Sequence, residues 1–171
     1  MRVVVPTAGP APHLTAVEAA LSRASADYLV IPLQGDDGYW RALRALWGEG
    51  EGFIVVEHDI VVWPGAMAEL VACPRDWCQC PYSYGRAGGT IVGLGCTKFS
   101  TFLLDRYPDV MEEAWDPVPE MTDHRHPPGH WCRLDARLQR VLVDHGETPH
   151  FDHSEVEHLG GLYPAHDCFP R

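Results

Sequence analysis

The stretch Phe53-Ile54-Val55-Val56-Glu57-His58-Asp59 restricts the fold more than any other segment of this chain. Four consecutive apolar residues, three of them β-branched, run directly into three ionisable ones. An uninterrupted apolar run of this length reads as a strand covered on both faces, as in the middle of a parallel sheet. In an extended chain residues i and i+2 project to one side, so Glu57 and Asp59 are expected to point together while His58 faces away. Downstream, Pro64 suits the first turn of a helix carrying Met67, Leu70 and Val71.

The flanking sequence supplies the helices that such a strand needs. Val3, Val4 and Val5 precede Pro6, Thr7, Ala8 and Gly9, a strand running into a turn. Leu14, Val17 and Leu21 recur at helical spacing, residues 28–31 form a second short apolar run, and Trp40, Leu43 and Trp47 mark one face of another helix. Repeated βα units with short links predict an α/β domain with a mostly parallel central sheet flanked by helices, and ligands of such sheets bind beyond the carboxyl ends of the strands. The later half is less regular. It offers a glycine-rich segment over residues 85–95, a helix from about 98 to 106, a Pro/His loop through His130, and a helix over about 134–145 with Leu134, Leu138, Val141 and Leu142 on one face.

At 171 residues the chain is expected to form one domain over 1–171. Lys and Arg number 13 against 24 Asp and Glu, a formal charge of −11, which disfavours extended nucleic-acid binding. An acidic protein can still take a single nucleotide if a divalent cation offsets the local repulsion. The short apolar run after Met1 lacks the basic segment and length of a secretory leader, no run reaches the ~18 apolar residues of a membrane span, and a cytoplasmic location is expected. The six cysteines are too scattered for a disulfide scaffold and are expected to stay reduced.

Hard cations such as Mg²⁺ or Mn²⁺ take oxygen ligands, commonly one or two carboxylates plus substrate phosphates, and the Glu57/Asp59 spacing suits a metal diphosphate. The same pair would also serve as a solvated strand end. Two acids separated by one residue after a central apolar strand resemble the metal motif of GT-A-fold nucleotide-sugar glycosyltransferases. The resemblance extends to Val5-Pro6-Thr7 on the opening strand, to the Pro64-Gly65 helix start and to a Trp/Asp pair before a late helix, and spans roughly residues 1–160. It implies a single Rossmann-like domain binding a nucleotide-sugar donor through Pro6, Thr7, Asp36 and Glu57, with Mn²⁺ or Mg²⁺ on Glu57 and Asp59 and a hydroxyl acceptor. The first acid is Glu where the family commonly has Asp, and the chain is short for such a transferase, so acceptor-binding structure is expected to be reduced or supplied by a partner. Asp36, in Gln34-Gly35-Asp36-Asp37, is either a base or ribose contact or a helix N-cap.

In the same resemblance His130-Trp131-Cys132-Arg133-Leu134-Asp135 matches the segment where inverting members carry a catalytic carboxylate, making Asp135 the candidate base; a carboxylate in a first helical turn also interacts favourably with the macrodipole. Related enzymes often recruit a late histidine to the metal, and within residues 149–158 the resemblance favours His158, then His153. The alternatives are a non-catalytic nucleotide-sugar binding module and a structural-zinc interaction protein. Zinc would use Cys73, Cys78 and Cys80, with Cys132 as a further thiolate, but that spacing matches no standard finger, and buried thiols commonly serve as small hydrophobes. His124, His126 and His130 form a second rival metal set. Residues 88–98 superficially resemble a phosphate cradle without the Walker spacing; they read as strand and turn beneath the acceptor site, with Lys98 opening the next helix.

Overall fold

A computed structural model describes residues 1–8, 11–84, 89–91, 93–115 and 131–159, with side chains omitted at 83–84, 89–91 and 131–132. His124, His126 and His130 lie outside these residues, as does the Cys132 side chain. The first half alternates as anticipated: β1 (Arg2–Ala8), α1 (Leu14–Arg23), β2 (Tyr28–Leu33), α2 (Gly38–Gly48), β3 (Phe53–Val56), a short β4 (Ile60–Val61) and α3 (Pro64–Ala72). The second half contributes β5 (Trp77–Gln79), the hairpin of β6 (Tyr82–Tyr84) and β7 (Gly89–Ile91), β8 (Cys96–Phe99), α4 (Thr101–Arg106), α5 (Val110–Glu113), α6 (Trp131–Asp144) and β9 (Glu157–His158). No helix among the described residues is long and apolar enough to cross a membrane.

The main sheet has the order β2-β1-β3-β8-β5. β1 pairs in parallel with β2 and β3, whereas β8 runs antiparallel to both β3 and β5. The α/β class therefore holds, and the sheet is mixed in one respect: β2, β1, β3 and β5 run the same way and β8 alone is reversed. The reason lies in the second half, where the chain enters beside β3 from its carboxyl end instead of through another βα crossover. β1 also runs on through Pro6 to Ala8 rather than turning at Pro6. Its register with β3 ends at Val4, so the missing Pro6 N–H faces a flank with no ladder partner from that strand.

Alternation along the strands builds two cores. Val4, Phe53, Val55, Trp77 and Phe99 are buried on one side with Leu43, Leu46 and Trp47 of α2 and Leu134, Leu138 and Leu142 of α6. Val3, Val5, Ile54, Val56 and Cys78 are buried on the other with Val17 and Leu21 of α1 and Met67 and Leu70 of α3. Every residue of β3 is buried, as its uninterrupted apolar run demands. Two local expectations are corrected. On α2 the buried stripe is Tyr39, Leu43, Leu46 and Trp47, with Trp40 only half-buried. Lys98 lies within β8 and is buried, its ammonium donating to the Cys73 carbonyl, and the following helix starts three residues later behind Ser100, whose Oγ accepts from Leu103 N at 3.1 Å.

Candidate active site

The parallel strands β1, β2 and β3 end on the same edge of the sheet, and the strand order reverses there. The chain leaves β1 through α1 to β2 on one flank, then returns through α2 to β3 on the other. A crevice at such a switch point is the usual ligand position of an open α/β sheet. Thr7, Asp36 and Glu57 each stand at or just beyond the end of one of these strands. Pro6 and Thr7 are buried in β1, while Asp36 is exposed in the turn before α2. The N-cap of that helix is Asp37, which makes no side-chain cap bond and pairs with Arg41 at 3.2 Å, so N-capping does not occupy Asp36.

Glu57 and Asp59 do not lie on an extended strand. β3 stops at Val56, and Ile60 N donates to Glu57 O at 3.0 Å, closing a turn over residues 57–60. Strand alternation is therefore not what brings the two carboxylates together; the turn is. Its start is fixed by Glu57 N donating to Gly95 O at 2.9 Å. Its end is fixed by the pairing of β4 with β9 and by Leu159 N donating to Asp59 O at 2.8 Å.

That pairing sets His158 opposite Ile60 and brings its Nε2 to 3.4 Å from Asp59 Oδ2, with both side chains largely buried. The imidazole also stacks on Tyr82, centroids 5.5 Å apart and planes within 12°. Burial holds His158 below its ordinary value; His13 and His58 push the same way, against the pull of Asp59. His153 goes elsewhere: its Nε2 lies 3.2 Å from His150 Nδ1, in a cluster with Cys73 and Cys78. Of the two late histidines expected beside the carboxylates, the fold delivers His158 and not His153, because the chain between them crosses from β5 to β4.

Asp135, on the second turn of α6, completes the acidic group. Burial raises Glu57 well above the ordinary carboxylate range, and Asp135 and then Asp59 raise it further. Burial likewise lifts Asp135 to about 6, partly offset by the Leu94 N–H that Oδ2 accepts at 3.3 Å. Two tyrosines escaped the sequence reading. Tyr39 is buried beside Glu57 and Asp135, and its hydroxyl has no well-formed hydrogen bond among the described residues. Tyr82 approaches Asp135 around Gly93, where an added Cβ would stand 2.7 Å from Asp135 Oδ2 and 3.0 Å from the Tyr82 hydroxyl. Tyr39 falls on the same helical stripe as Leu43 and Trp47, and a polar-tipped ring at a core position was the available signal.

The donor set fits a hard divalent cation. Burial, and then the neighbouring Asp135 and Asp59, favour the protonated form of Glu57, and a cation beside these carboxylates would offset both the burial and the repulsion. These groups do not form a closed cage. Among the described residues, only the Cys73 cluster brings three or more candidate donor atoms all within 4.8 Å of one another. An open carboxylate pair suits an ion that completes its shell with water and phosphate.

No protein-family model and no curated protein matches this chain. Among solved structures, it is similar to a glycosyltransferase involved in glycosylating the major capsid of PBCV-1, with TM-score 0.50 and 10% identity over 92% of this chain and 82% of the other. It is also similar to a Bacillus anthracis protein assigned as a glucose-1-phosphate thymidylyltransferase, in complex with sucrose, with TM-score 0.53 and 7% identity over 90% of this chain and 86% of the other. At such identities the likeness concerns the fold, a central sheet flanked by helices.

Proposed function

We propose that this chain is a metal-dependent glycosyltransferase that moves a sugar from a nucleoside-diphosphate donor to an acceptor hydroxyl. The observation that carries the reading is the convergence of Glu57, Asp59, Asp135 and His158, from separate parts of the chain, at the carboxyl edge of three parallel strands. Glu57 and Asp59 would hold Mn²⁺ or Mg²⁺, which when bound neutralises the charge of the donor diphosphate. Pro6 and Thr7 line the end of β1 and Asp36 follows β2, so nucleoside contacts fall to these residues. Asp135 takes the proton of the acceptor hydroxyl as its oxygen bonds the anomeric carbon, and the bond to the diphosphate breaks with its electron pair on the leaving oxygen. Attack from the face opposite the leaving group inverts the anomeric centre. A carboxyl that burial lifts to a pKa of about 6 suits this role, being mostly ionised at neutral pH yet more basic than an exposed aspartate.

The test is a thermal-shift panel of nucleoside diphosphates with and without Mn²⁺, followed by donor turnover. A ligand at 100 times its dissociation constant stabilises the folded chain by about 2.7 kcal/mol. Asp59→Ala should abolish the Mn²⁺-dependent shift with the circular-dichroism spectrum unchanged. A shift that ignores both Mn²⁺ and Asp59→Ala sinks the reading, and binding with neither transfer nor donor hydrolysis favours a nucleotide-sugar binding module.

A further inference from the structure

Away from the carboxylates, four side chains that could ligate a soft or borderline metal meet at the edge of the main sheet. Cys73 caps the carboxyl end of α3, Cys78 lies in β5, and His150 and His153 belong to the segment that runs alongside β5 towards β9. Cys78 Sγ is 3.2 Å from Cys73 Sγ, Cys73 Sγ is 3.4 Å from His150 Nδ1, and His150 Nδ1 is 3.2 Å from His153 Nε2. All four donor atoms lie within 4.8 Å of one another. A tetrahedral zinc ion with Zn–S of about 2.3 Å and Zn–N of about 2.0 Å sets its donors roughly 3.3–3.8 Å apart, so the group needs only small side-chain adjustments to close around one ion.

We propose that Cys73, Cys78, His150 and His153 form a structural zinc site that fastens the C-terminal segment to the central sheet. Two thiolates and two imidazoles are a tetrahedral donor set for zinc and a poor one for Mg²⁺ or Mn²⁺. The ion takes the place of the two thiol protons, which pass to solvent. The backbone holds the geometry independently of the metal: Gln79 N donates to His150 O and His150 N to Trp77 O, both at 2.9 Å. The buried Lys98 ammonium, bonded to the Cys73 carbonyl, supplies positive charge beside the thiolates. Cys80 stays outside the site; its backbone N–H bonds Cys96 O. The consequence reaches the carboxylate site, because residues 150–153 lead directly into β9 and His158.

The test uses the full chain, purified with reductant, stripped with a chelator and titrated with Zn²⁺ and with Co²⁺ as spectroscopic probe. One zinc per chain is expected, with cobalt giving thiolate charge-transfer absorption and the visible bands of a tetrahedral ion. His153→Ala, at a half-buried loop position, should weaken zinc by more than the roughly 10- to 100-fold lost when a metal ligand loses a hydrogen-bond partner. Cys73→Ser should remove part of the charge-transfer band. Cys80→Ser and Asp59→Ala should leave zinc content unchanged, separating this site from the carboxylates. A folded wild-type chain with free thiols and no stoichiometric zinc overturns the proposal. So does a Cys73/His153 double variant that still holds zinc as tightly as wild type.

Discussion

His158 Nε2 lies 3.4 Å from Asp59 Oδ2, although 98 residues separate the two in sequence. The β4–β9 pairing and the stacking on Tyr82 hold the ring there, so its position does not depend on the Asp59 contact alone. Whether the imidazole ligates the cation or orients Asp59, its loss should weaken the metal. His158→Gln is expected to lower Mn²⁺-dependent nucleoside diphosphate affinity about 10- to 100-fold, measured by calorimetry, with little change in melting temperature of the metal-free chain. Equal affinities would remove His158 from the site.

Asp135→Asn separates binding from chemistry. The amide is nearly isosteric and can still accept the Leu94 N–H, but it cannot take a proton. Donor affinity should stay near wild type while transfer, or donor hydrolysis before an acceptor is known, drops by about 10² to 10⁴. Wild-type turnover in the mutant would exclude Asp135 as the base.

The same residue makes a stability prediction. Its folded value of about 6 exceeds the ordinary aspartate value of about 3.9, so the native state binds this proton more tightly than the unfolded chain. The stabilisation is fully present below about pH 4 and lost as pH rises through about 6, a swing on the order of 2–3 kcal/mol. Glu57, raised by the same burial, acts in the same direction. His158 and His153, which burial holds below the ordinary histidine value, act in the opposite direction over the same interval, so the carboxyl contribution is read from the difference between wild type and Asp135→Asn. In metal-free protein the melting temperature of wild type relative to Asp135→Asn should fall between pH 5 and 7, leaving the mutant the more stable chain at pH 7. A wild-type-minus-mutant difference that rises across this interval would contradict the assignment.

Gly93→Ala tests how tightly Tyr82 and Asp135 close on the loop before β8. The added methyl cannot fit without moving the carboxylate or the phenol, and overpacking of this kind costs about 1–3 kcal/mol. Urea unfolding should show that loss, and transfer should fall more than donor binding because Asp135 is the displaced group. A chain of unchanged stability and activity would mean the loop yields freely.

The central strand, the βα order of the first half and the acid pair were legible in the sequence because each is a local pattern. Val3 to Val5, the four apolar residues of β3 and the Pro64 helix start record burial on two faces and backbone preference within a few residues. The antiparallel return of β8 was not legible, since Cys96-Thr97-Lys98-Phe99 carries no apolar run to mark a buried strand and four residues have the same composition in either direction. Lys98 was misplaced for the same reason: its burial depends on a carbonyl 25 residues away.

The histidines draw the same boundary within one short segment. His150, His153 and His158 stand close together in sequence with nothing in the local pattern to rank them; the family resemblance alone put His158 first and His153 second. The tertiary structure sent two to thiols beside β5 and one to Asp59, because the segment crosses between two sheets and each pairing register fixes which ring arrives where. Local pattern specifies which elements form and which faces they bury. Which distant donors share a site follows from long-range strand pairing, a property of the closed fold that no single stretch of the chain encodes.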